Sequence, residues 1–172
     1  ANLGYKVTPH LIKRVEDLNG NIIYEFKEKK DLILNQSLVY IINELLTSTY
    51  DSSFIDYNYP TVLSIAAKMS RKYSVKTGTT TGDLWTIGYN PQVVTSVWVG
   101  YDDNHDVETQ KYGKARDIWI DSMELYLKEK EKIWYKKPDN VVGCLVDPIS
   151  GKPVTEDSKN KKILYYLKGT EP

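Results

Sequence analysis

Lys72-Tyr73-Ser74-Val75-Lys76-Thr77-Gly78-Thr79-Thr80, then Asp83-Leu84-Trp85-Thr86-Ile87-Gly88-Tyr89-Asn90-Pro91-Gln92, then Val93-Val94-Thr95-Ser96-Val97-Trp98-Val99-Gly100-Tyr101, is the stretch on which the fold turns. It holds three strand-like runs, Lys72 to Thr79, Trp85 to Tyr89 and Val93 to Tyr101, rich in β-branched and aromatic residues. Asn90-Pro91 in the second break suits a tight turn with Pro at its second position. Connections this short demand antiparallel neighbours, because a parallel pair needs a crossover of about a dozen residues or more. The reading is a three-stranded antiparallel meander.

Upstream, Leu11 to Glu16 and Asn21 to Phe26 are two short runs with Asn19-Gly20 in the turn between them, which predicts a β-hairpin. From Gln36 the period changes. Leu38, Ile41, Ile42, Leu45 and Leu46 recur at three-and-four spacing, predicting an amphipathic helix to about Thr47 with Asn35 as its N-cap. Tyr50 to Pro60 reads as a loop pinned by its aromatic rings, and Thr61 to Met69 as a short helix. Downstream, Ala115, Ile118, Trp119, Ser122, Met123, Tyr126 and Leu127 mark a second helix, whose last turns are expected to carry the charge run Lys128 to Lys132 on a solvated face. Beyond Pro138, Val141 to Val146 and Ile163 to Leu167 read as strands, joined through the turn Asp147 to Gly151 and a polar connection. The expected division is 1–137 as the main body and 138–172 as a small strand-rich extension.

The chain has 172 residues, enough for a real core without disulfides or structural metals. Its 23 Lys and Arg balance 23 Asp and Glu, which argues against a nucleic-acid binder, since such a domain carries a cationic surplus to displace counterions. Cys144 stands alone, and no Cys/His cluster offers a zinc site. The most apolar stretch, Ser37 to Leu46, is interrupted by Asn43 and Glu44, well short of the ~18 apolar residues of a spanning helix. The start, Ala1-Asn2-Leu3-Gly4, lacks the features of a targeting signal, so the expectation is a piece of a longer protein whose signal lies elsewhere.

Lys76-Thr77-Gly78, extended by Thr79-Thr80, has the most specific chemical reading. On an exposed strand edge Lys76 offers an ammonium and Thr77 a hydroxyl to one carboxylate, while Gly78 lets an extended peptide approach the backbone. The N–H of Thr79 then points at the substrate carbonyl. The plainer reading is a basic strand with a Gly bulge.

The wider pattern favours the chemical reading. The K-T-G run, Asp83, Trp85, Ile87-Gly88-Tyr89-Asn90-Pro91 and Val97-Trp98-Val99-Gly100-Tyr101-Asp102 together resemble the C-terminal part of the transpeptidase domain of class A penicillin-binding proteins. The resemblance extends to Val7-Thr8-Pro9, Gly20 to Tyr24, Ala115, Ile118, Trp119 and the ending Tyr165 to Pro172, so it covers essentially the whole chain. It implies an α/β (α+β) fold of the penicillin-binding transpeptidase/β-lactamase-like kind, an antiparallel sheet flanked by helices, with only its C-terminal portion in this chain. Such an enzyme cross-links peptidoglycan. A serine attacks the penultimate D-Ala carbonyl of a stem peptide, releases the terminal D-Ala and passes the acyl group to an amine on a neighbouring strand. The resemblance assigns the substrate carboxylate and oxyanion wall to Lys76, Thr77, Gly78 and Thr79. It implies stem peptides and β-lactams as ligands, no cofactor or metal, and cell-division or elongation proteins as further partners. It also implies an upstream glycosyltransferase domain and an N-terminal anchor, with the protein on the outer face of the cytoplasmic membrane.

The pattern departs from the family at one point. The motifs S-x-x-K and S-x-N should precede K-T-G, and neither does. Their only matches, Ser158 to Lys161 and Ser158 to Asn160, overlap downstream in a polar stretch and cannot build two walls of a site; Ser64 to Lys68 has the wrong spacing. The chain is therefore expected to supply one wall and not the nucleophile, to resist acylation when isolated, and to expose a sheet edge and apolar surface. The alternative is a non-catalytic module on the same fold that binds peptidoglycan or a divisome partner. A β-lactamase is disfavoured by the tail after Pro138. Asp102, Asn104 and Asp106 match the start of an EF-hand loop, but Val107 and Gly113 stand where Gly and Glu are required. His10 and His105 have no ligand pattern around them, and Asp83 and Trp85 suit structural roles in the turn and the sheet.

Overall fold

A computed structural model describes residues 1–155, 157–158 and 161–172. The N-terminal part contains β1 (Tyr5–Lys6), β2 (Arg14–Glu16), β3 (Ile22–Glu25) and β4 (Asp31–Leu32), with β1 paired to β4 and β2 to β3, both antiparallel. The β2–β3 hairpin is the expected one, though shorter. Its turn is held by the Asp17 carboxylate, which accepts from the Asn19 and Asn21 amides at 2.9 and 2.8 Å, and Gly20 takes the positive φ of 83° that the turn requires.

Next comes α1 (Gln36–Leu46), capped as expected by Asn35, whose side chain accepts from the Ser37 and Leu38 amides. The buried face of this helix is not the apolar stripe of its sequence. Ser37, Tyr40, Asn43 and Glu44 point inward, whereas Leu38 and Ile42 are 50% and 53% exposed. Polar burial is tolerated because each of these side chains has at least one partner, although Asn43 Nδ2 has none among the described residues. Ser37 donates to Asn140 Oδ1 at 2.6 Å, and Asn43 Oδ1 accepts from the Tyr89 hydroxyl at 2.9 Å. Glu44 pairs with Lys72 Nζ at 2.6 Å while accepting the Trp134 indole N–H at 2.7 Å.

Of the rings in the loop after α1, Tyr50 is pinned, its hydroxyl donating to Tyr73 O at 2.9 Å, while Tyr59 is exposed. A 3-10 turn, Leu63–Lys68, forms where a short helix was expected. The meander follows as β5 (Ser74–Thr79), β6 (Asp83–Asn90) and β7 (Val93–Gly100), antiparallel and in sequence order. The Pro91-Gln92 connection is tightened by Asn90 Oδ1, which accepts from the Gln92 and Val93 amides at 2.9 and 3.1 Å.

Helix α2 (Lys114–Leu127) lies across one face of this sheet and buries Ala115, Trp119, Ile120, Met123 and Leu127. There Trp119 meets Tyr73 edge-on at 5.4 Å, among Val62, Ile65 and Val75. Each fully buried aliphatic side chain in this cluster contributes on the order of 1.5–3 kcal/mol. The helix stops at Leu127, before the charge run. Arg71 holds it there, donating to the carbonyls of Leu127, Lys130 and Glu131 at 2.7, 3.3 and 3.2 Å, so Lys128 to Lys132 is exposed chain beyond the last turn rather than a helical face. Finally β8 (Val141–Val146) and β9 (Lys162–Leu167) pair antiparallel, and Val141, Tyr165 and Leu167 pack with Tyr40 of α1 and with Tyr135.

Candidate active site

Strand β5 has β6 on one side and no strand on the other among the described residues. Its backbone polarity follows from the turn beyond it. The Thr80 amide donates to Asp83 O at 2.9 Å, so Thr80 faces β6. Backbone groups alternate in direction along a strand, so Gly78 and Lys76 also face β6, while Thr77 and Thr79 aim their N–H and C=O outward at the open edge. Lys76 Nζ donates to Thr77 O at 2.8 Å, as an outward carbonyl allows. The four residues singled out in the sequence thus form one open edge, with two free backbone amides and an exposed ammonium.

Side chains alternate across the sheet as well, so Lys76 and Gly78 stand on the face away from α2, and Thr77 and Thr79 on the α2 face. Thr77 donates to Thr61 Oγ1 at 3.1 Å. Gly78 is not required by packing within the chain, since a Cβ there would come no closer than 3.6 Å, to Trp85 Cβ. Asp83 fixes the end of the edge. Its amide donates to Thr80 Oγ1 at 2.9 Å, and its carboxylate accepts from Thr80 Oγ1 at 3.2 Å and from Trp98 Nε1 at 2.8 Å. Trp85 pairs with Trp98 across the strands, with ring centroids 6.4 Å apart.

On the α2 side, a cleft of about 290 Å³ opens beside Thr77 and Thr79, with Thr61, Thr86, Tyr112 and Arg116 among its walls. Nothing in the spacing of the sequence marked Thr61, Thr86 or Arg116, because the first turn of α2, the loop before Leu63 and the middle of β6 meet only in the fold. The other residues considered lie apart from it. His10 stacks on Phe26 at 3.6 Å, and His105 stacks on Tyr101 and pairs with Asp103. Lys68 pairs with Asp121 at 3.0 Å rather than with Ser64. Ser158 lies near Thr155, with oxygens 3.4 Å apart, while Asn160, the end of the other chance match, lies outside the described residues, as do Glu156 and Lys159.

Penicillin-binding protein 2D of Bacillus subtilis is 34% identical over 173 residues, an alignment that takes in 100% of this chain and 25% of that protein. The whole length of this chain is similar to one part of a penicillin-binding protein. Penicillin-binding protein 1A of Rickettsia conorii is 30% identical over 172 residues, covering 88% of this chain and 22% of its own length. The crystal structure of penicillin-binding protein 1A from Haemophilus influenzae superposes with a TM-score of 0.83 over 99% of this chain and 30% of that one; at 22% identity it speaks for the fold. No protein-family model matches the chain. The chain thus spans about a quarter of the length of the curated relatives it matches. The mixed architecture of antiparallel sheets and helices is that of the penicillin-binding protein fold.

Proposed function

We propose that this chain is the K-T-G wall of a peptidoglycan D,D-transpeptidase of class A, and that the nucleophilic serine is carried by another part of the same polypeptide. The observation that carries this reading is the open edge of β5, with Thr77 and Thr79 directed outward and Lys76 beside them. An extended donor peptide laid along that edge takes the backbone groups of Thr77 and Thr79 in strand fashion. The Thr79 amide then meets the carbonyl oxygen on which negative charge develops, and Lys76, leaving Thr77 O, turns to the terminal carboxylate with the Thr77 hydroxyl. A β-lactam carries a carbonyl and a carboxylate in a related disposition and is expected to acylate the same serine. No cofactor or metal enters these steps.

The apolar surface supports the chain's being part of a larger domain. The sheet face away from α2 exposes Trp85 and Trp98 at 43% and 41%, and the stripe Leu38, Ile42 and Leu45 of α1 is exposed as well. In this reading both are covered by the upstream half of the transpeptidase domain, residues 1–137 complete that domain, and 138–172 form an appended strand-rich extension. No helix among the described residues is long and apolar enough to cross a membrane. We place the anchor and a glycosyltransferase domain upstream, with the active site on the outer face of the cytoplasmic membrane and division or elongation proteins as partners.

The test is acylation by a labelled penicillin. The protein that carries this segment is expected to react, and the 172-residue chain alone to remain unlabelled. A carrier protein that binds peptidoglycan yet never forms a penicillin adduct would favour the non-catalytic module.

A further inference from the structure

Arg116, in the first turn of α2, brings a guanidinium to the cleft beside β5 without an ion-pair partner among the described residues. One of its nitrogens, Nη1, donates to Thr61 O, and Thr61 Oγ1 accepts from Thr77. A single residue thus ties the guanidinium to the K-T-G hydroxyl. A guanidinium has five N–H donors in a planar fork, so the bond to Thr61 leaves donors for a further acceptor. Asp117, the acidic residue of the same turn, makes no salt bridge with it.

Thr86 supplies an independent observation. It stands opposite Thr77 in the β5–β6 register, lines the same cleft and is fully buried, yet its Oγ1 has no hydrogen-bond partner among the described residues. Buried hydroxyls are rarely left in that state, because desolvation is then uncompensated. At about 290 Å³ the cleft is at the small end for ligand pockets, suited to a branch of an extended ligand rather than to a whole one. A guanidinium with free donors, flanked by threonine hydroxyls, selects an anion, and a peptide lying along β5 has carboxylates to offer.

We propose that Arg116, with the hydroxyl of Thr86, forms a carboxylate subsite on the α2 face of the edge strand. It makes the enzyme prefer donors that carry a free carboxylate there over esterified or amidated ones. Lys76 and Arg116 then approach the substrate from opposite faces of one strand. This inference rests on the transpeptidase reading of the β5 edge.

The experiment compares acylation rates of the protein carrying this segment toward two pairs of probes. The first pair is a penicillin and its methyl ester, and the second is a pentapeptide donor with its side-chain carboxyl free or amidated. Arg116→Gln is expected to lower the rate with the free carboxylate about ten-fold, leaving the neutral member of the pair unchanged, and Arg116→Lys to recover part of the loss. The pair that responds identifies which carboxylate occupies the subsite. Thr86→Val, which removes the orphan hydroxyl at constant shape, is expected to raise the melting temperature while slowing the same reaction. If the wild-type protein is acylated and both Arg116→Gln and Thr86→Val keep the wild-type ratio for both pairs, the subsite is refuted while the transpeptidase reading stands. If the wild-type protein reacts with neither a penicillin nor the peptide, the transpeptidase reading falls and the subsite with it.

Discussion

Gly78 and Gly88, both in the three-stranded sheet, differ in what a methyl group would meet. At Gly88 a Cβ would drive into the Trp119 indole, 2.7 Å from Cε2, and come within 3.1 Å of Ser74 O. Trp119 is fully buried and cannot retreat, so Gly88→Ala is expected to cost about 1–3 kcal/mol of stability, measured by denaturant unfolding. At Gly78 the space is open, so Gly78→Ala should unfold like the wild type while slowing penicillin acylation of the carrier protein. Equal loss of stability at both positions would mean that Gly78 serves the sheet and not a ligand. Lys76→Ala removes a charge-assisted hydrogen bond worth ~1.5–3 kcal/mol, an expected ten- to hundred-fold fall in acylation rate, roughly, with stability changed by less than about 1 kcal/mol. Thr77→Val should do less. Thr79→Ala keeps the backbone donor and is expected to react nearly as the wild type; a fall as deep as that of Lys76→Ala would bring the Thr79 hydroxyl into contact with substrate.

At the scale of elements, β5 to β7 were legible in the sequence because their breaks are too short for anything but antiparallel pairing, and Asn35 announced the start of α1 by its chemistry. The orientation of α1 was not legible. Periodicity marks Leu38, Ile42 and Leu45 as one apolar face, but it cannot show that Ser37, Asn43 and Glu44 find partners on Asn140, Tyr89, Lys72 and Trp134, all distant in sequence. The end of α2 was misplaced for a similar reason, since the cap is Arg71, far upstream. In the site, K-T-G is contiguous and readable, whereas Thr61, Thr86 and Arg116 come from three elements that only the fold assembles.

Helix α2 also gives a pH prediction. Burial pushes the Glu124 carboxyl up, but hydrogen bonds from the Tyr73 hydroxyl at 2.6 Å and the Ser70 amide at 3.0 Å outweigh it, and the group titrates below its ordinary value. A depressed carboxyl stabilises the fold above its unfolded pKa, about 4.3, and that contribution is lost as pH falls through the lower folded value. Tyr73 has the opposite sign. Burial and Glu124 raise it, so its contribution is present at neutral pH and lost on the alkaline side. Glu124→Gln is therefore expected to flatten the decline of stability below about pH 4, and parallel curves for the two proteins would show that Glu124 does not set the acid limb.

For the whole molecule, the half-exposed rings of Trp85 and Trp98 and the exposed α1 stripe of Leu38, Ile42 and Leu45 leave large apolar side chains in water. The isolated chain is expected to self-associate with rising concentration, and Ile42→Lys to reduce that association without lowering the melting temperature; a monodisperse, cooperatively folding chain at high concentration would show that it needs no further cover. Locating the penicillin adduct shows whether this chain is one wall of a transpeptidase whose nucleophile lies elsewhere in the polypeptide. The carrier protein is labelled, digested and read by mass spectrometry. One acylated serine is expected, upstream of this segment and followed three residues later by lysine, with no adduct on residues 1–172. An adduct on any serine within this segment, Ser158 included, would contradict that expectation.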